Sequence, residues 1–123
     1  MARELTVRPR YLTRVGFWWS PDEPHLPHPR DFVDVTWDSL EKERVVAYLR
    51  DSYYLNYFLG MSWCRFGCPY PADIGSCDMT DGRWLFPEGL AHYVSDHSVK
   101  PPAAFLDHMR RMEFRVPDLP GAA

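Results

Sequence analysis

The chain has 123 residues, 46% hydrophobic, 15% aromatic and 25% charged, with a formal net charge of −3. That length accommodates one core and leaves no room for a second independent domain, and the composition excludes general disorder. Lys and Arg are scattered through an acidic chain, which excludes the basic footprint of a nucleic-acid or anionic-membrane binder.

No apolar run approaches the ~18 residues needed to cross a bilayer, and the opening MARELTVRPR lacks the apolar core of a secretion signal, so a cytoplasmic protein is expected. Three cysteines cannot form a complete internal disulfide framework, and reduced thiols or metal ligands fit that compartment. Twelve prolines predict long ordered loops rather than long helices.

In chain order, YLTRVGFWW (residues 11 to 19) reads as a strand, ended by the turn residues Ser20, Pro21 and Asp22. The segment PDEPHLPHP then forms a loop in which His25 and His28 are expected to be solvated. Asp38 followed three residues later by Glu41 is a helix-capping pattern, and Leu40, Val45, Val46 and Leu49 recur near helical spacing, so a helix starts near Ser39. Its charges, Glu41, Glu43 and Arg50, complement the helix dipole and read as a solvated face.

The apolar run YYLNYFL (residues 53 to 59) could continue the helix or turn into a strand, which periodicity does not separate in a short buried run; a helix end followed by a short strand through Met61 and Trp63 is the favoured reading. Asp81-Gly82 between CDMT and RWLF predicts a β-hairpin from about Cys77 to Phe86. Pro87 suits the first turn of a helix running through GLAHYVSDH, and Pro101 and Pro102 open a last helix through AAFLDHMRRM. The expected fold is one α+β domain over residues 1–116, with two to four short antiparallel strands packed by about three helices, and a loose tail at 117–123.

The chemistry concentrates in residues 60 to 97, which hold all three cysteines and two of the five histidines. Cys64, Cys68 and Cys77 with His92 or His97 would offer three sulfurs and one nitrogen in the tetrahedral set that zinc prefers. The C-x3-C spacing departs from the two-residue gap of ordinary zinc knuckles, and the competing explanation makes the cysteines small buried core residues with no cofactor. Glu88, His92 and Asp96 recur every four residues, so either carboxylate can hold the imidazole beside a cysteine nucleophile. No nucleophile elbow or protease signature accompanies them, which leans against an enzyme. Asp78, Thr80 and Asp81 crowd a hairpin tip but lack the alternating oxygen ligands and distant Glu of a calcium loop.

The aromatics, including Trp18, Trp19, Trp37, Trp63 and Trp84, are more than a small core buries completely, which points to a protein partner or a self-association surface, while the competing reading packs them all inside around the Pro-rich loops. The segments SWCRFGC and GSCDMTDGRWLFPEGLAHYVSDH, with WDSLEKERVVAYLRDS upstream and PPAAFLDHM downstream, resemble a family of small bacterial proteins whose activity is unassigned. The resemblance spans about residues 28 to 109 and implies a bacterial origin and a small stand-alone domain. It carries no catalytic residue over. It marks Cys64, Arg65, Asp78, Thr80, Asp81, Pro87, Glu88, His92 and His97 as the positions where a characteristic site would lie, and Trp84 joins Arg65, Asp78, Thr80, Asp81 and Glu88 as a candidate binding residue. The leading functional expectation is macromolecular binding, of regulatory kind or immunity-like, with acidic side chains meeting a basic partner. The alternative is a zinc-binding metalloprotein or metal-dependent enzyme built on residues 64–97.

Overall fold

The computed structural model describes residues 3–5, 9–57, 61–70 and 73–119. Its elements in chain order are β1 (Arg3–Glu4), β2 (Thr13–Arg14), a 3-10 turn (Pro29–Phe32), α1 (Ser39–Asp51), β3 (Tyr53–Tyr57), β4 (Cys77–Thr80), β5 (Trp84–Pro87), α2 (Leu90–His97) and α3 (Ala103–Arg111). The α+β class and the three helices are as expected. Among the described residues, no helix is long and apolar enough to cross a membrane.

The sheet is larger and less uniform than expected, with five strands in the order β1-β3-β4-β5-β2. β3, β4 and β5 run antiparallel, whereas β1 pairs parallel with β3 and β2 parallel with β5. The two parallel edges are only two residues long, too short to leave a periodic signal. Accordingly, the strand expected over residues 11 to 19 shrinks to Thr13–Arg14.

Local chemistry explains the central elements. The Asp38 carboxylate accepts from Glu41 N at 3.0 Å and starts α1, whose buried stripe is Val45, Tyr48 and Leu49. The chain enters β3 directly at Tyr53, so Tyr53–Tyr57 is strand rather than a helix end. Met61 and Trp63 belong to no strand, and residues 58–60 lie outside the described set. The predicted hairpin is present, with Met79 opposite Phe86 and Thr80 opposite Leu85. Asp81 Oδ1 accepts from Arg83 N and Trp84 N at 2.9 and 2.8 Å, and Gly82 turns the chain with φ +100°. Pro87 ends β5 instead of opening α2, because Glu88 N still donates to Cys77 O across the hairpin at 2.8 Å.

One core joins sheet and helices through Val45, Leu49, Met79, Phe86, Val94 and Phe105, all of them buried. Two surface readings change on packing. Glu41 accepts from Trp37 Nε1 at 2.9 Å and from Arg110 Nε and Nη2 at 3.0 and 2.8 Å, tying α1 to α3. His28 caps the 3-10 turn, its Nδ1 accepting from Arg30 N, while His25 is exposed as expected. Residues 117–119, placed in the tail by sequence, are held: Tyr53 OH donates to Pro117 O at 2.8 Å, and Arg3 pairs with Asp118 at 2.9 Å. The rest of that tail, 120–123, lies outside the described residues.

Candidate metal centre

The cysteine loop is placed by α2. Tyr93, buried on that helix, accepts from Arg65 N at 2.9 Å and donates to Trp63 O at 3.3 Å through its hydroxyl. At its upstream end the loop pairs with the chain before β4, Ser62 N donating to Gly75 O and Ile74 N to Ser62 O. Gly67 N donates back to Cys64 O at 3.0 Å, and Gly67 has φ +76°, a left-handed turn that accommodates the extra residue of the C-x3-C gap. Cys64 and Cys68 therefore both face the end of α2.

There they meet two imidazoles. Cys64 Sγ lies 3.4 Å and Cys68 Sγ 3.2 Å from His97 Nε2, and the His92 and His97 rings are 5.1 Å apart and nearly perpendicular. One donor atom from each of Cys64, Cys68, His92 and His97 falls within 4.8 Å of all the others. Around a tetrahedral zinc with sulfur and nitrogen ligands, such donor-to-donor edges are roughly 3.3–3.8 Å, so the two sulfur-nitrogen distances are already close to the bound geometry. This Cys2His2-like cluster could hold a metal ion.

Hydrogen bonding around His92 fits that use. Nδ1 lies 3.3 Å from Asp96 Oδ2, whereas Nε2 is buried with no hydrogen-bond partner among the described residues. A buried polar atom without a partner carries a cost, and a metal ligand oriented by a carboxylate on its far nitrogen removes it. Phe66 stacks on His97 at 4.2 Å and covers that side of the cluster. Burial, reinforced by the neighbouring His92, pushes the His97 imidazole below its ordinary value, a shift toward the neutral form that a ligand requires. Burial, the neighbouring Cys64 thiol and Asp96 push the Cys68 thiol up. That shift opposes nucleophilic activation, which needs a thiolate, whereas a cation placed among these atoms would stabilise one.

The ligand set differs from the expected one in one sulfur. Cys77 is absent from the cluster: it lies in β4, opposite Tyr57 of β3, with its thiol 4.0 Å from Ser76 Oγ. From Asp73 onward the chain leads into β4, a placement that cysteine spacing does not reveal. The ambiguity between the two carboxylates is also resolved. Asp96 faces His92, while Glu88 Oε1 accepts from Ser76 N and Cys77 N at 3.1 and 3.3 Å.

The other candidate binding residues divide into two groups. Arg65, Asp78 and Glu88 line one cleft of about 520 Å³, together with Trp63. Arg65 braces the loop, with its guanidinium 4.1 Å from the Trp63 ring and donating to Trp19 O and Trp63 O. Asp78 accepts from Asn56 Nδ2 at 3.3 Å. Thr80, Asp81 and Trp84 belong instead to the hairpin beneath α3, where Trp84 stacks on Phe105 at 4.8 Å. Asp81, 1% exposed, also accepts from Tyr48 OH at 2.6 Å and lies 3.3 Å from His108 Nε2. Sequence reading missed this buried Tyr48–Asp81–His108 group, whose members come from α1, the hairpin and α3 with no local signal to connect them.

No protein-family model, curated protein or solved structure matches the chain. The family resemblance stays a reading of motifs, and the site is defined by its own geometry.

Proposed function

We propose that this protein is a zinc-binding α+β domain in which Cys64, Cys68, His92 and His97 hold a structural ion that ties the 61–70 loop to α2. The convergence of four donor atoms within 4.8 Å carries the reading. Two thiolates and two imidazoles are zinc ligands, and four protein donors fill a tetrahedral shell, leaving no open position for substrate or water. The ion therefore stabilises the domain instead of performing chemistry.

Elemental analysis of the purified or zinc-reconstituted protein tests this, with about one zinc per chain expected. Cys64→Ser and Cys68→Ser should lose the metal and Cys77→Ser should keep it. Absence of zinc, with Cys64 and Cys68 open to a thiol reagent in the folded protein, refutes the reading.

A second role, contact with a protein partner or another copy of the chain, is favoured by the exposure of Trp19, Met61, Trp63, Phe66 and Tyr70 on and beside the metal-tied loop. It predicts that Trp63→Ala with Tyr70→Ala retains zinc while abolishing partner capture or concentration-dependent association in sedimentation. If association and capture are unchanged in that variant, the loop is not the contact surface.

A further inference from the structure

We infer that the metal centre is also an oxidation switch, in which hydrogen peroxide joins Cys64 to Cys68 as a disulfide and expels the ion. The inference rests on the zinc reading above and concerns how that site is regulated. Both sulfurs converge on one nitrogen, His97 Nε2, at 3.4 and 3.2 Å, and lie within 4.8 Å of each other. They sit at the two ends of a turn closed by the Gly67 N to Cys64 O hydrogen bond, whose left-handed glycine leaves open space around its Cα. Closing the sulfurs onto each other therefore needs movement inside one short loop and none in the sheet.

The two cysteines differ in access, which assigns the order of events. Cys68 is half-buried and reachable from solvent, whereas Cys64 is 4% exposed. Held as a thiolate by the proposed ion, Cys68 attacks the peroxide, forming an S–O bond as the O–O bond breaks and hydroxide leaves; the product is a sulfenic acid. The Cys64 thiolate then attacks the Cys68 sulfur, forming the S–S bond and expelling a second hydroxide. Two electrons pass from the sulfur pair to the peroxide oxygens, and zinc keeps its charge. Left with two imidazoles in place of four donors, the ion dissociates. Cys77, buried in β4 away from the cluster, stays a thiol, which gives the third cysteine no part in the switch.

The test uses the full chain after reconstitution, with bound zinc quantified before any oxidant is added. Hydrogen peroxide is titrated in while released zinc is followed with a chromophoric chelator and the products are mapped by mass spectrometry without reduction. The expected result is the loss of one zinc and two thiols together, a Cys64–Cys68 disulfide, and recovery of both on adding dithiothreitol and zinc. Cys77→Ser should behave identically, and Cys68→Ala should form no internal disulfide. Zinc that is retained while peroxide is consumed overturns the switch but leaves the zinc reading intact. So does release accompanied by sulfinic acid or by disulfides between chains. Failure to take up zinc before oxidant is added overturns the zinc reading itself.

Discussion

Replacing Asp96 with Asn tests whether its pairing with His92 serves the metal or is an ordinary surface contact. Asp96 Oδ2 stands 3.3 Å from His92 Nδ1, and the other ring nitrogen is buried without a partner among the described residues. With zinc bound as proposed, Nε2 would be the ligand and Nδ1 would carry the proton that the carboxylate accepts, which would fix the tautomer and raise ligand basicity. Loss of such a partner costs 10–100-fold in metal affinity. The Asp96 side chain is 50% exposed and the His92 side chain 11%, so solvent screens one member of the pair. The lower end of the range follows: zinc should bind about tenfold more weakly, or about 1.4 kcal/mol, with stoichiometry unchanged. Competition against a chromophoric chelator measures this directly. His92→Ala, which deletes a ligand, should cost much more. Affinity within about twofold of the parent would refute the assignment of Asp96 as the orienting group.

Three further outcomes follow from the packing. Asp81→Ala strips the partner from the buried Tyr48 hydroxyl and from two turn N–H groups, and should cost about 3 kcal/mol or more in urea unfolding; a loss below about 1 kcal/mol would refute a structural role for the network. Gly89→Ala would place its Cβ 2.6 Å from Ile74 Cδ1 and 3.0 Å from Ile74 O, so a destabilisation of about 1–3 kcal/mol is expected, and an unchanged unfolding midpoint would show that the β5-to-α2 junction gives way freely. In the metal-free protein His97 titrates below its ordinary 6.5, so the unfolded chain binds more protons than the folded one in that window. Stability should then be full above 6.5 and decline as pH falls below it, before carboxylates titrate near about 4; His97→Asn should flatten the unfolding midpoint between these limits, and an equally steep parent and variant would contradict the shift.

Much of the fold was legible because its signals are local. The Asp38 cap, the α1 stripe and the Asp81-Gly82 turn each act within a few residues, through hydrogen bonds or dihedral preferences that the residue types dictate. Tyr53–Tyr57 was misread because a short buried apolar run fits helix and strand equally, and only pairing with β4 decides between them. The parallel edge strands depend wholly on neighbours that are distant in sequence.

The same division runs through the site. The sequence by itself determined that thiols and imidazoles able to bind zinc cluster between residues 60 and 97, and that Glu88 and Asp96 both flank His92 at helical spacing. Only the tertiary structure decided that His92 and His97 both contribute, that Cys77 departs into β4, and that Glu88 turns to the chain before β4. It also brought Tyr48, Asp81 and His108 together from three elements. The reason is physical: backbone preferences act over a turn or a strand pair, whereas the convergence of side chains from separate segments is set by how a shared core closes around them.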